Sequence, residues 1–405
     1  MAFGLLGRKL GHSWSPSIHA ELGCTPYKLY EAEPEALKEF LCSTSLSGMN
    51  VTIPYKKDVI PYCAALSDTA QKLGSVNTLI KTDNGWFGDN TDYYGFRYMV
   101  KQAGIEIAGK KCLVLGSGGA SLTVTQVLRD MGAASVVVIS RSGEENYENL
   151  HRHADAKVIV NTTPVGMYPK NGTAPVSLEV FPHCEGVLDL IYNPARTVLL
   201  MDAEKRKIPH AGGLTMLVAQ AKRAAELFMD TTIDDAVIPA ITKKLQQKME
   251  NIILIGMPGC GKSTVAAALG ETLGMEVVDA DAEIVKTVGK PIPENFADDG
   301  EAAFRKIETE VLADLGKRNG IILSTGGGCV TREGNYPLLH QNGKIIWLQR
   351  EISDLPTDGR PLSQKNALSE MYKIRKPLYE AFADVTIENN GPLSTTINSL
   401  LEALK

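Results

Sequence analysis

Short apolar runs alternate along the whole chain with stretches in which apolar residues recur every three or four positions. The runs suit strands buried on both faces, and the longer period suits helices packed over them. This alternation predicts an α/β architecture with parallel sheets of the doubly wound kind. Two of the runs end in glycine-rich turns. Lys111–Leu115 leads into Gly116-Ser117-Gly118-Gly119-Ala120-Ser121, and Ile252–Ile255 leads into Gly256-Met257-Pro258-Gly259-Cys260-Gly261-Lys262-Ser263. Such a turn, set between a strand and a helix, aims backbone N–H groups at phosphate oxygens, and the helix N-terminus favours negative charge. Two turns imply two nucleotide sites and two catalytic units, in keeping with a length of 405 residues. The joint falls near residues 245–250, where the polar-faced helix ending at Ile241–Lys248 gives way to a strand starting at Met249. The expected units are therefore 1–248 and 249–405.

In the second unit, Gly256-x-x-x-x-Gly261-Lys262-Ser263 is a complete P-loop, with the helix expected over Ser263–Leu273. Lys262 reaches the β/γ-phosphates and the Ser263 hydroxyl faces Mg²⁺. Val277-Val278-Asp279-Ala280-Asp281 places two carboxylates on one face of a strand end, since side chains two apart point alike. One carboxylate can serve Mg²⁺ and the other a substrate hydroxyl. Arg305 and Glu308 lie one helical turn apart, Gly326-Gly327-Gly328 follows the strand Ile321–Leu323, and Arg375 supplies a second guanidinium. Two arginines around one pocket suit a substrate carboxylate, which the guanidinium fork binds in bidentate fashion.

In the first unit, the second strand Ser135–Ile139 ends in Ser140-Arg141-Ser142. An arginine there suits the 2′-phosphate of NADP(H), where an acidic residue would suit NAD. His12-Ser13-Trp14-Ser15-Pro16 offers two hydroxyls on an extended segment, and Asn50–Lys56 ends in a lysine held by a proline-stiffened turn. Asn77 adds an amide and Asp92 a carboxylate. A Lys/Asp pair amid polar side chains can carry the proton that ketone reduction requires alongside hydride.

In this order, the motifs of 249–405 resemble shikimate kinase. The resemblance implies that Asp281, Arg305, Arg375 and the Gly327–Gly328 backbone hold shikimate. It also implies that Ser263 and Asp279 bind Mg²⁺, and that ATP lies over Gly256, Gly259, Cys260, Gly261, Lys262, Ser263 and Thr264, with Arg360 in a lid. Lys262 and Asp281 are the implied catalytic pair. The segment Gln349–Gly359 is shorter than the family pattern and lacks a second arginine just ahead of Arg360. The motifs of 1–248 resemble shikimate dehydrogenase. That resemblance implies a substrate lobe (about 1–100 plus 218–248) and a Rossmann-like NADP lobe (about 101–217). Lys56 and Asp92 would be catalytic, with either able to carry the proton. Ser13, Ser15, Thr52, Asn77 and Gln220 would contact substrate; Gly116, Gly118, Gly119, Ala120, Arg141, Thr162 and Gly213 would hold the cofactor. Here too the family pattern is trimmed, between Ser15 and Asn50. The implied reactions are consecutive: NADPH-dependent reduction of 3-dehydroshikimate to shikimate, then ATP-dependent phosphorylation to shikimate 3-phosphate. A quinate/shikimate dehydrogenase of broader specificity and a nucleotide-binding regulatory pseudoenzyme are the competing readings.

Composition narrows the partners. A net charge of −5 argues against a nucleic-acid surface. No apolar stretch approaches the ~18 residues of a membrane span, and the seven cysteines form no C-x-x-C pair, which suits reduced thiols in the cytoplasm. Small-molecule substrates are the expected partners, and no oligomeric state follows from the sequence.

Overall fold

Residues 3–89 build a six-stranded sheet from β1 (Phe3–Gly7), β2 (Tyr27–Glu31), β3 (Gly48–Val51), β4 (Cys63–Leu66), β5 (Thr78–Thr82) and β6 (Gly85–Asp89), in the order β2-β1-β3-β5-β6-β4. A computed structural model describes residues 1–11, 13–355 and 365–405 of the chain. This first sheet departs from the all-parallel expectation. β1 pairs in parallel with β2 and β3, but β5 runs antiparallel to both β3 and β6. The reason is local: two residues, Asp83 and Asn84, join β5 to β6, and a connection that short can only link antiparallel neighbours. Gly85, at φ +117, takes the left-handed backbone that closes the turn.

The next two sheets are parallel throughout. β7 (Lys111–Leu115), β8 (Ser135–Ile139), β9 (Val158–Asn161), β10 (Gly186–Asp189) and β11 (His210–Gly212) follow the order β11-β10-β9-β7-β8. β12 (Asn251–Ile255), β13 (Glu276–Asp279), β14 (Ile321–Ser324), β15 (Gly343–Gln349) and β16 (Val385–Glu388) follow the order β13-β14-β12-β15-β16. In each, the strand carrying the glycine-rich turn lies inside the sheet. The chain leaves β7 toward β8 on one side and returns to β9 on the other; around β12 the reversal is between β14 and β15. A crevice opens at the carboxyl ends of strands at such switch points. β12 is buried at every position, as its unbroken apolar run requires.

By packing, the chain divides into two units. Unit 1 comprises Met1–Met167, Thr173–Tyr192 and Leu199–Leu245; unit 2 comprises Gln246–Lys405 together with the short segments Tyr168–Gly172 and Asn193–Val198. Within unit 2, the Ala195 N–H donates to Asn342 Oδ1 at 2.8 Å and the Arg196 guanidinium to the His340 carbonyl at 2.9 Å. Among the described residues no helix is long and apolar enough to cross a membrane.

In unit 1 the helix Asp92–Gln102 packs along the helix Leu214–Met229. Phe96, Met99 and Val100 are buried under the first helix, each contributing roughly 1.5–3 kcal/mol. Gly95 makes the close approach possible: a Cβ there would sit 2.8 Å from the Met216 carbonyl oxygen and 2.9 Å from Gln220 Cβ. The crossing thereby fixes Asp92 and Gln220, one on each helix, relative to one another.

His19 adds a pH dependence to this unit. Its ring is 1% exposed and stacks on Tyr27 with centroids 4.1 Å apart. Burial lowers its pKa from 6.5 to about 3, with a hydrogen bond to Asn50 acting the other way. The native ring thus stays neutral where the unfolded one takes up a proton, so stability falls as pH drops from 6.5 toward 3. Between pH 7 and pH 5 the loss is about 2 kcal/mol. His19→Phe should flatten that part of the pH profile in urea titrations that follow unit 1; an unchanged slope would show that other groups set it.

Candidate functional site

The carboxyl end of the first sheet and the facing edge of the second enclose a cavity of about 550 Å³. Ser13, Ser15, Thr52, Lys56, Asn77, Asp92 and Gln220 all line it. At its centre the Lys56 ammonium lies 2.6 Å from Asp92 Oδ2, with side chains 26% and 14% exposed. The other Asp92 oxygen accepts from Asn77 Nδ2 at 2.9 Å. Asn77 is oriented in turn, its Oδ1 accepting from the Thr91 N–H at 2.7 Å and from Thr78 Oγ1 at 3.0 Å. Asn77 therefore fixes the Asp92 carboxylate as well as facing the cavity. Asp92 is also the first residue of its helix, where the dipole favours a negative charge. Ser13 and Ser15 sit with hydroxyls 3.2 Å apart. The segment is not extended as expected: Ser15 opens the helix Ser15–Glu21 and Pro16 follows at its first turn, a position proline favours.

Gly116–Ser121 carries β7 into the helix Gly119–Asp130. Gly116 has φ +103, and a Cβ on it would lie 2.9 Å from Thr162 Oγ1. Cβ atoms at Gly118 and Gly119 would meet nothing within 4 Å, which leaves open space where a pyrophosphate would lie. Ser121, in place of a third glycine, turns its hydroxyl back to the Gly118 carbonyl at 2.7 Å. Thr162 is tied to the Leu115 carbonyl at 2.7 Å. Ala120 and Gly213 reach the cavity itself, whereas Arg141 stands exposed just past the end of β8. Lys9 also lines the cavity and was not singled out from sequence, because an exposed lysine near a strand end carries no motif.

In unit 2 a cavity of about 540 Å³ collects Gly259, Gly261, Lys262, Ser263 and Thr264 with Asp279, Asp281, Arg305, Gly327, Gly328 and Arg375. Gly256 and Cys260 shape the loop from below: a Cβ at Gly256 would strike the Leu348 carbonyl at 2.6 Å, and Cys260 is fully buried. Arg360 lies outside the described residues. Lys262 donates to the Gly256 and Met257 carbonyls at 2.9 and 3.1 Å, so its ammonium is held beneath the loop it serves. Ser263 Oγ donates to Asp279 Oδ2 at 2.8 Å and lies 3.2 Å from Ser324 Oγ.

The two aspartates are not strand neighbours. β13 ends at Asp279, whose other oxygen caps the helix Ala280–Val288 by accepting from the Asp281 and Ala282 N–H groups at 3.0 and 3.2 Å. The capping preference of aspartate overrides the alternation, and Asp281 enters the cavity from a helical first turn.

Arg305 donates to Glu308 Oε2 at 2.8 Å and to Glu301 at 3.2 Å. Glu308 has a side chain only 1% exposed; burial raises its pKa, with Arg305 opposing. Arg305 Nε and Glu308 Oε1 are buried without a hydrogen-bond partner among the described residues. The glycine run explains itself here. A Cβ at Gly328 would lie 2.1 Å from the Arg305 guanidinium, and one at Gly326 would lie 2.8 Å from Glu308 and 2.9 Å from Asp281. The Gly327 carbonyl accepts from Arg375 at 3.0 Å and from the Tyr379 hydroxyl at 2.5 Å.

The first site has the parts of a dinucleotide-dependent oxidoreductase and the second those of a P-loop phosphotransferase. Comparison with known proteins makes both specific. Residues 5–79 match the family model described as shikimate dehydrogenase substrate binding domain, and residues 258–405 match the model described as shikimate kinase. A shikimate dehydrogenase (NADP(+)) of Clostridium beijerinckii is 37% identical over 268 residues, covering 62% of this chain and 98% of that protein. Among solved structures, a chorismate mutase/shikimate 5-dehydrogenase fusion protein from Clostridium acetobutylicum is 38% identical, with a TM-score of 0.58 over 61% of this chain and 97% of that one. Shikimate 5-dehydrogenase from Thermus thermophilus, solved with NADP(H) and shikimate, is 30% identical, with a TM-score of 0.55 over 60% and 99%. The chain belongs to the shikimate dehydrogenase family and carries a shikimate kinase domain at its C-terminal end.

Proposed function

We propose that residues 1–248 reduce 3-dehydroshikimate to shikimate with NADPH and that residues 249–405 phosphorylate the product with ATP, two consecutive steps toward the aromatic amino acids, carried out in the cytoplasm. The observation that supports this proposal is the presence, on one chain, of the Lys56–Asp92 pair at 2.6 Å and of a P-loop that shares a cavity with Asp281, Arg305 and Arg375.

In the dehydrogenase, the reduced nicotinamide supplies the hydride. The chain must deliver a proton to the carbonyl oxygen at the same moment, and the Lys56–Asp92 pair is placed to do so. Asn77 and Gln220 keep that pair and the substrate hydroxyls in register. In the kinase, Lys262 turns from the loop carbonyls to the phosphates, and Asp281 orients and deprotonates the attacking hydroxyl. The Ser263 hydroxyl and the Asp279 carboxylate are hard oxygen donors 2.8 Å apart, a set that suits Mg²⁺ shared with phosphate oxygens. Bound there, Mg²⁺ would offset the phosphate charge. The purified chain should reduce NADP⁺ when given shikimate and release ADP when given shikimate and MgATP; the absence of either activity removes that half of the reading.

Cofactor choice rests on Arg141. A charge-assisted contact to the 2′-phosphate is worth roughly 1.5–3 kcal/mol, about 10–100-fold in binding. Arg141→Ala should therefore raise KM for NADPH by that factor and leave KM for NADH nearly unchanged. Equal use of both cofactors by the unmutated enzyme would contradict this.

A further inference from the structure

The dehydrogenase cavity has a charge balance that the proton-transfer pair does not explain. Three charged residues line it among the described residues: Lys9, Lys56 and Asp92. Lys56 and Asp92 neutralise one another at 2.6 Å, so the net positive charge of the lining comes from Lys9. Its neighbours are committed elsewhere, Arg8 to Glu33 at 2.8 Å and the Leu10 N–H to Glu31 at 2.7 Å. Lys9 itself makes no hydrogen bond or ion pair among the described residues. It shares the cavity wall with the Ser13–Ser15 hydroxyl pair, whose oxygens are neutral and lie 3.2 Å apart. Two hydroxyls can orient a carboxylate but cannot balance its charge, and an anion leaving water for a cavity favours a cation beside it.

We infer that Lys9 is a specificity-determining residue that pairs with the carboxylate of the substrate while Ser13 and Ser15 orient it, so that the cavity selects cyclic hydroxy acids over their uncharged analogues. The inference rests on the proposed dehydrogenase activity. Lys9 stands far enough into solvent that its contact is partly screened, and removing it should weaken use of the acid by about 2–5-fold.

The test measures shikimate oxidation by NADP⁺ with the full-length wild type, Lys9→Met and Lys9→Arg, each against shikimate and shikimate methyl ester. The expected result is a KM for shikimate raised about 2–5-fold in Lys9→Met, falling on KM rather than kcat. The methyl ester should show no change between wild type and Lys9→Met, and Lys9→Arg should restore the KM for the acid. Added salt should raise the wild-type KM and leave that of Lys9→Met flat. An unaltered KM for the acid, or an equal loss for acid and ester, overturns the role of Lys9 while leaving the dehydrogenase reading intact. A wild type inactive on shikimate overturns both.

Discussion

Lys56→Ala is expected to lower dehydrogenase kcat by at least ~10²-fold, the usual scale of general acid–base catalysis, while the same preparation phosphorylates shikimate at its normal rate. The geometry makes the expectation specific. Lys56 donates to one Asp92 oxygen and Asn77 to the other, so removing the ammonium leaves Asp92 in place but without the partner proposed to share the proton transfer. Asp92→Ala should reduce kcat on the same scale, and the double variant should be little worse than either single one, because a proton relay fails as a unit. Asn77→Ala acts through Asp92 and should shift the pH–rate profile as well as the rate. Kinase activity serves as an internal control for folding and concentration. A Lys56→Ala enzyme with near-normal kcat would remove the pair from the chemistry.

The second large effect separates the two kinase arginines. Arg375 is half-buried and donates to the Gly327 carbonyl at 3.0 Å, so Arg375→Ala should raise KM for shikimate steeply, with KM for ATP and the melting temperature nearly unchanged. An underpaired substrate carboxylate costs on the order of 2–5 kcal/mol, about 30-fold or more. Arg305→Ala differs because Glu308, 1% exposed, would be left as a buried carboxylate without its 2.8 Å partner. Breaking such a pair costs about 3–5 kcal/mol. This variant should lose kinase activity and also unfold its kinase unit at lower temperature, seen as an early transition in calorimetry. Arg305→Met with Glu308→Leu should recover stability but not activity. Should Arg305→Ala melt like the wild type, the ion pair contributes nothing to stability; should Arg375→Ala instead lose ATP, that arginine belongs to the nucleotide site.

Those sites were legible to different degrees. The P-loop could be read because its chemistry is written in consecutive residues, and Gly256 and Gly261, at φ +148 and +94, take backbone that other residues avoid. The Lys56–Asp92 pair was legible as two separate motifs, although the 2.6 Å contact joins residues on different elements. The period misleads where a local preference overrides it. Asp279 caps a helix instead of continuing its strand, Ser15 starts a helix instead of extending, and the Asp83–Asn84 turn reverses a strand in a sheet expected to be parallel. Each signal lay in the sequence, in an aspartate at a strand end, a serine before proline and an Asp-Asn-Gly run. Lys9 had no such signal. Its role depends on the cavity wall it shares with Ser13 and Ser15 and on the mutual cancellation of Lys56 and Asp92, both properties of the folded chain.

The claim that this one chain performs two consecutive steps is tested most directly by supplying purified enzyme with 3-dehydroshikimate, NADPH and MgATP together and following the products by mass. Shikimate 3-phosphate is expected, with one NADPH oxidised and one ATP consumed for each molecule formed. Omitting ATP should stop the sequence at shikimate, and omitting NADPH should leave 3-dehydroshikimate unchanged. Phosphorylation of 3-dehydroshikimate without NADPH, or shikimate accumulating unphosphorylated in the presence of MgATP, would contradict it.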